Sequence, residues 1–228
     1  IAAIRALALR HGAHVILDPT IASPLNVDVL RYADIVVNSL TKFAASDGDI
    51  IAGLVVINPA APDADALREG VRRHIEPLYA RDLARLAAEI DDYPALIAHV
   101  NETTPRVVAF LESHPHVREV YWALRPETRE RYLALARHPA SVGSVVSFSL
   151  NIPLERFYDR VRIAKGPSFG MKMSLLCPYL YLAHYDMVST EAGRATLASH
   201  GLDPSLIRLS IGMEPADQIL GALDEALR

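Results

Sequence analysis

A single cysteine, Cys177, stands among 228 residues. No intrachain disulfide can form, which excludes a small scaffold held together by bridges and suits a reducing, cytoplasmic setting. Long hydrophobic runs are also missing: the stretches around Val15–Leu17 and Ile50–Ile57 fall well short of the roughly 20 residues a membrane helix needs. Excess charge is scarce, with 23 Lys+Arg against 27 Asp+Glu and a net charge of −4. That balance supplies no basic surface for nucleic acid or an anionic membrane. There is no Gly-x-Gly-x-x-Gly or P-loop pattern, so nucleotide use has no support, and no repeat or low-complexity tract is present. The chain opens on Ile1 without a signal-peptide pattern and is at once in helix-like sequence, so a preceding segment is expected. What is present, 51% hydrophobic and 22% charged residues, is the composition of a globular chain with a real core, in one large domain or two small ones.

Ile1, Ile4, Leu7 and Ala8 recur at helical spacing, and His11-Gly12 offers a left-handed stop, so a helix is predicted over Ile1–Arg10. Val15–Leu17 and Ile35–Val37 read as short parallel strands buried on both faces, with one short helix over Val27–Tyr32 between them. Ile50–Ile57 reads as a third strand leaving into the turn Asn58-Pro59. From Asp63 to Ser113 the pattern is helical. Leu83, Leu86, Ala87 and Ile90 share a face that Ile97, Val100, Val107 and Leu111 continue, with Pro94 and Pro105 as interruptions. Strands are predicted at Val117–Trp122, Ser144–Leu150 and Ile207–Ile211, and helices near Leu154–Val161 and Ala216–Leu227. The expected fold class is α/β: a parallel-type sheet with helices over residues 1–89, then a smaller α+β domain over residues 90–228.

Lysine is rare, at Lys42, Lys165 and Lys172 only. Lys42 ends Asn38-Ser39-Leu40-Thr41-Lys42, just past an apolar strand, where hydroxyls can hold a phosphate and an amine can attack a carbonyl. Taken alone this stretch is a turn with a surface lysine. Asp18 follows the preceding strand, and taken alone it is a turn or cap residue. Together, an amine after one strand and a carboxylate after its parallel neighbour match what pyridoxal phosphate requires: a Schiff-base lysine and a partner for the ring nitrogen.

At these positions the chain resembles the Cys/Met metabolism enzymes that depend on pyridoxal 5'-phosphate, whose members include cystathionine γ-synthase, cystathionine lyases and methionine γ-lyase. The resemblance rests on His14–Pro24, on Ala33–Phe43 with its Ser-Leu-Thr-Lys, and on Ser46–Gly53. It continues through Gly143–Phe148, Ser168-Phe169-Gly170 and Leu206-Ile207-Arg208-Leu209-Ser210-Ile211-Gly212-Met213-Glu214. Within the family, Lys165–Gly170 and Cys177-Pro178-Tyr179 look more like the cystathionine γ-synthase-like branch typical of fungi.

The resemblance implies the fold-type I architecture and carries roles over position by position. Lys42 becomes the catalytic Schiff-base residue, Asp18 the partner of the ring nitrogen, Thr20 a neighbour of the ring, and Ser39 and Thr41 phosphate contacts. Arg208 becomes the clamp for a substrate α-carboxylate, with Ser168 close by; a planar guanidinium matches that anion bidentately. Without the resemblance an arginine in a strand reads as an ordinary edge residue. The implied reaction is γ-replacement on an activated homoserine by a thiol such as cysteine, in a homodimer or homotetramer acting on a small amino acid. Cystathionine or methionine lyase activity is the alternative, as is a truncated, non-catalytic remnant of the fold, and a Rossmann-like binding domain is a third reading.

The loop Ala44-Ala45-Ser46-Asp47-Gly48 departs from the family's Gly-Gly-His-Ser type. The resemblance reaches only the family's latter portion; the family's ring-stacking aromatic and phosphate turn belong to the part before it. Three weaker features read as structural. His11-x-x-His14 and His114-x-His116 have no accompanying ligand set, so no metal site is expected. Cys177 reads as a buried small hydrophobe. Tyr179, Tyr181, His184 and Tyr185 read as a helix packing face.

Overall fold

A computed structural model describes residues 1–228. Two sheets flank a run of helices. The first joins β1 (Ile16–Leu17), β2 (Ile35–Ser39) and β3 (Gly53–Ile57) in that order. β1 and β2 are parallel, with Ile16 opposite Ile35. β3 runs antiparallel to β2, pairing Ser39 with Gly53 and Ile35 with Ile57. The expected parallel-type sheet is therefore mixed. The connection from Leu40 to Ala52 folds on itself, with the N–H groups of Leu40 and Thr41 both donating to the Ala52 carbonyl. Because the chain folds back onto the end of β2 itself, β3 returns beside it antiparallel. It also consumes Ile50–Ala52, which were expected in the strand. Burial on both faces does not hold in β1 either, since Ile16 is 59% exposed.

α1 (Ala2–Arg10) stops before Gly12, whose φ of +62° makes it the left-handed residue the sequence required. Its apolar stripe stays uncovered: Ile4 and Leu7 are exposed and only Ala8 is buried. Of Val27–Tyr32 only Leu30–Tyr32 turns, as a 3-10 helix, stapled by the Asn58 amide to the carbonyls of Leu30 and Ala33, both at 2.8 Å.

The helical stretch divides into α2 (Ala64–His74), α3 (Ala80–Glu89), a 3-10 turn at Ile90–Asp92 and α4 (Tyr93–Ser113). Pro94 sits in the first turn of α4, where its missing N–H costs nothing. Pro105 lies inside α4 without ending it. Thr103, Thr104, Val107 and Val108 around it are all buried, and that packing outweighs the ~3 kcal/mol an interior proline costs.

The second sheet has the order β4-β5-β8-β7-β6 and comprises β4 (Val117–Tyr121), β5 (Val145–Leu150), β6 (Ala164–Lys165), β7 (Leu175–Pro178) and β8 (Ile207–Ser210). Its pairings are antiparallel except β6 with β7. α4 and the C-terminal helix Ala216–Leu227 cover it, and the main core gathers Val100, Val107, Phe148, Leu209 and Leu223. α5 (Pro126–Leu133), α6 (Leu154–Tyr158), α7 (Tyr179–Ala183), α8 (Tyr185–Val188) and α9 (Glu191–Ser199) precede that helix, α10. No helix is long and apolar enough to cross a membrane.

Phe43, the residue after Lys42, belongs to this main core. Its ring stacks on Tyr93 at 6.1 Å and meets the edge of Phe169 at 6.0 Å. The turn that carries Lys42 is thereby anchored to the start of α4 and to the loop between β6 and β7.

Candidate active site

The ends of β1 and β2 are tied together by one hydroxyl. Thr20 Oγ1 donates to Asp18 Oδ1 at 2.5 Å and accepts from the Ser39 N–H at 2.9 Å. The Thr20 N–H also donates to Asp18 Oδ1 at 2.9 Å, so the carboxylate is oriented by two donors through one oxygen. Thr20 is buried while Asp18 is exposed. Asp18, Thr20 and Ser39, singled out separately in the sequence, form one cluster. Asn38, buried beside them, leaves its Oδ1 without a partner.

Lys42 begins the 3-10 turn Phe43–Ala45 and is half-buried. Its Nζ donates to Ser168 Oγ at 3.2 Å and lies 5.2 Å from the centre of the Phe169 ring. No carboxylate pairs with it, unlike Lys172, whose Nζ bridges Asp92 at 2.9 Å and Asp47 at 3.0 Å. Those contacts, Asp92 first, push the Lys172 ammonium above its ordinary value. Thr41 points elsewhere: its Oγ1 accepts from the Ala52 N–H at 2.9 Å and donates to the Ala52 carbonyl at 3.3 Å, closing the turn. The hydroxyl expected at a phosphate is thus already engaged.

The loop that brings Ser168 to Lys42 depends on Gly170. Its φ is +73°, and a Cβ there would stand 2.9 Å from the Phe43 nitrogen. Its N–H donates to Ser210 Oγ at 3.2 Å. On β8, Arg208 pairs across to Ser147 and Cys177. Its guanidinium donates to the Pro167 carbonyl and lies 4.7 Å from the centre of the Tyr179 ring. Cys177 is buried, and burial pushes its thiol up against the opposing pull of Arg208, which agrees with the inert reading.

Glu214 shows why Gly212-Met213-Glu214 follows the end of β8. Its carboxylate accepts from the Ser174 N–H at 2.7 Å and Oγ at 2.8 Å, and the Gly212 N–H donates to Ser174 Oγ at 2.9 Å. A Cβ on Gly212 would stand 2.5 Å from the Lys172 carbonyl. The sequence reading missed these supports, along with Tyr93 and Lys172; only the scarcity of lysine hinted at the last.

A cavity of about 690 Å³ opens beside the cluster, walled by Asp18, Asn38, Ser39, Gly53 and Ile75–Tyr79. Lys42, Ser168 and Arg208 stand outside its wall. His14 lies 3.6 Å from Asp34, whose carboxylate also takes Arg5 at 2.5 Å and the Val15 N–H at 2.8 Å. Burial raises the Asp34 carboxyl, but Arg5 and Val15 outweigh it and hold it below its ordinary value. The His114 and His116 rings lie 5.6 Å apart, tilted by 46°, and burial, then the His116 charge, lowers His114. The tyrosine group is not a packing face: Tyr179, Tyr181 and Tyr185 are 40%, 38% and 65% exposed. α7 and α8 are too short to turn a full stripe inward, and Leu180, Val188 and Leu197 make that contact instead.

Residues 1–228 match the family model described as Cys/Met metabolism PLP-dependent enzyme. The chain is 42% identical over 224 residues to an L-2-amino-4-chloropent-4-enoate dechlorinase/desaturase from Streptantibioticus cattleyicolor, covering 98% of this chain and 45% of that protein. It is 32% identical to cystathionine gamma-synthase from Neurospora crassa, covering 99% and 36%. It superimposes on a cystathionine gamma-lyase from Micromonospora echinospora with a TM-score of 0.84 at 28% identity, covering 99% of this chain and 59% of that one. This chain thus spans less than half the length of those two curated relatives. The donor set suits the cofactor that the family name specifies: an amine free of any carboxylate, an oriented exposed carboxylate, the Ser39 hydroxyl and an unpartnered amide oxygen on Asn38.

Proposed function

Because this chain belongs to the Cys/Met metabolism PLP-dependent enzyme family, matched along its whole length, we propose that the protein works on the γ-carbon of an L-amino acid. The reaction is cystathionine γ-synthase-like: the γ-substituent of an activated homoserine is replaced by a thiol such as cysteine. The observation that carries this reading is Lys42, half-buried, without an ion pair and hydrogen-bonded to Ser168 from the other sheet's loop. A surface lysine has neither constraint.

When bound, pyridoxal 5'-phosphate supplies an electron sink that eases removal of the proton at Cα. Asp18, aimed by Thr20, keeps a proton on the ring nitrogen. Ser39 and Thr41 would hold the phosphate, the Thr41 hydroxyl also accepting from the Ala52 N–H. Lys42 Nζ takes the Cα proton, and Ser168 Oγ fixes the direction from which the amine approaches. Arg208 holds the α-carboxylate, so that the γ-carbon is the end left free to exchange its substituent. The division at about residue 90, a homodimer or homotetramer, and a cytoplasmic setting complete the proposal.

Release of the γ-substituent without thiol addition is the second reading. It is favoured by the 42% identical relative, whose name describes loss of chlorine from carbon 4, the γ position. Both readings need Lys42. Treatment with pyridoxal phosphate and borohydride, followed by peptide mass analysis, should place the reduced label on Lys42 and leave Lys42→Ala unlabelled. Label elsewhere, or none, overturns the assignment and favours a non-catalytic remnant. Incubation with an activated homoserine, with and without cysteine, then separates a thioether product from a released keto acid.

A further inference from the structure

We propose that Tyr179 is a positioning residue for the substrate α-carboxylate, acting through Arg208; this rests on the reading of Arg208 given above. Three surroundings fix the guanidinium. Cys177, opposite it in the β7–β8 register, is buried and walls one side. The Pro167 carbonyl takes one of its N–H groups. The Tyr179 ring lies beneath the guanidinium carbon, its centre 4.7 Å from Cζ. No carboxylate of the chain lies within salt-bridge distance of Arg208, in contrast to Arg85, Arg106, Arg118 and Arg125. An arginine carries five N–H donors, so donors remain for an anion once Pro167 is served.

Tyr179 has no other evident duty. It is 40% exposed, sits in the first turn of a five-residue helix, and lies outside the apolar cluster that Leu180, Val188 and Leu197 form. Its hydroxyl makes no hydrogen bond within the chain, so the ring face, not the phenol, is what the site uses. A flexible side chain held over an aromatic ring loses less freedom when it captures a planar carboxylate, and this is the contribution Tyr179 makes.

The test measures binding, not turnover. The pyridoxal-phosphate-loaded protein is titrated calorimetrically with L-norvaline, which has no γ-leaving group, and with n-butylamine, the same chain without the carboxylate. Tyr179→Leu should weaken norvaline about 5- to 20-fold and leave butylamine within about twofold, while Tyr179→Phe, which keeps the ring, should match the parent. Arg208→Gln should abolish the preference for norvaline over butylamine. If Arg208→Gln abolishes it and Tyr179→Leu leaves it intact, the proposal fails and the Arg208 reading survives. If the parent shows no preference, or Arg208→Gln preserves it, both fail. Equal weakening of the two ligands by Tyr179→Leu reveals a merely structural residue and also overturns the proposal.

Discussion

Lys42 Nζ and Ser168 Oγ, 126 residues apart in sequence, stand 3.2 Å from each other. The contact crosses from the turn after β2 to the loop before β7, so the candidate catalytic amine takes its direction from the sheet that also carries Arg208. Two residues along that loop, Gly170 packs on Phe43, and one residue back, Pro167 receives Arg208. One short segment therefore touches the Lys42 amine, its turn and Arg208.

Removing the hydroxyl should isolate the amine's orientation from its chemistry. In Ser168→Ala, Lys42 keeps its place over Phe169 but loses its only hydrogen-bond partner. A hydrogen bond to a charged group contributes about 1.5–3 kcal/mol, so kcat/KM should fall about 10- to 100-fold. Borohydride labelling of Lys42 should persist. Steady-state kinetics beside that labelling checks both halves, and loss of label would place Ser168 in cofactor capture instead.

Much of this site was legible in the sequence because its residues sit where local rules put them. Asp18 and Lys42 each follow an apolar strand, and two parallel strands align their ends. Arg208 was legible only through the motif around it. Direction was not readable for β3, because an apolar run such as Gly53–Ile57 carries no sign of which way it runs; the folded connection from Leu40 to Ala52 decides that. Thr41, which the resemblance places at a phosphate, also closes that same connection through its hydroxyl, a duty its spacing does not reveal. Phe43, Tyr93 and Phe169 converge from three separate segments, a relation no local pattern encodes. In α1, helical spacing correctly foretold the helix, while the exposure of its Ile4 and Leu7 is a tertiary fact the spacing does not carry.

Thr20 should matter for stability before it matters for catalysis. Thr20→Val keeps the shape but strips Asp18 of one donor and leaves the Ser39 N–H without its acceptor. An unsatisfied group in a buried setting costs about 1–3 kcal/mol, to be read as a lower midpoint in urea unfolding. Thr20→Ser retains both bonds and should recover most of the loss. If valine is as stable as threonine, the hydroxyl does not join the two strand ends.

Gly170→Ala tests the close approach of the loop to the turn that carries Lys42. The new methyl would meet the Phe43 nitrogen at 2.9 Å and force an alanine to a φ of +73°. Backbone strain of this kind costs about 1–3 kcal/mol. Gly12→Ala, also at positive φ but with open space around the added carbon, should pay only the backbone part. Thermal unfolding of the two variants separates strain from collision: a larger fall for Gly170→Ala is expected, and equal falls would show that the loop can retreat.

Tyr132, packed against the cluster of Val27, Val29, Ala33 and Val36, supplies a pH-dependent prediction. Its hydroxyl is enclosed without a hydrogen-bond partner, and burial pushes its pKa from 10.0 up to about 12. The folded state resists ionising a group that the unfolded chain ionises freely. Its contribution to stability is therefore complete below pH 10, declines as the pH rises, and is exhausted once the pH passes about 12. Tyr132→Phe removes both the unpaired hydroxyl and the titration. The variant should be as stable as the parent or more so at pH 7, since an unpaired buried hydroxyl costs free energy that phenylalanine does not incur. Between pH 9 and pH 11 it should lose less stability than the parent. Urea midpoints at three pH values decide the matter: parallel decline of the two proteins would mean that Tyr132 ionises as easily folded as unfolded, and that its hydroxyl finds water.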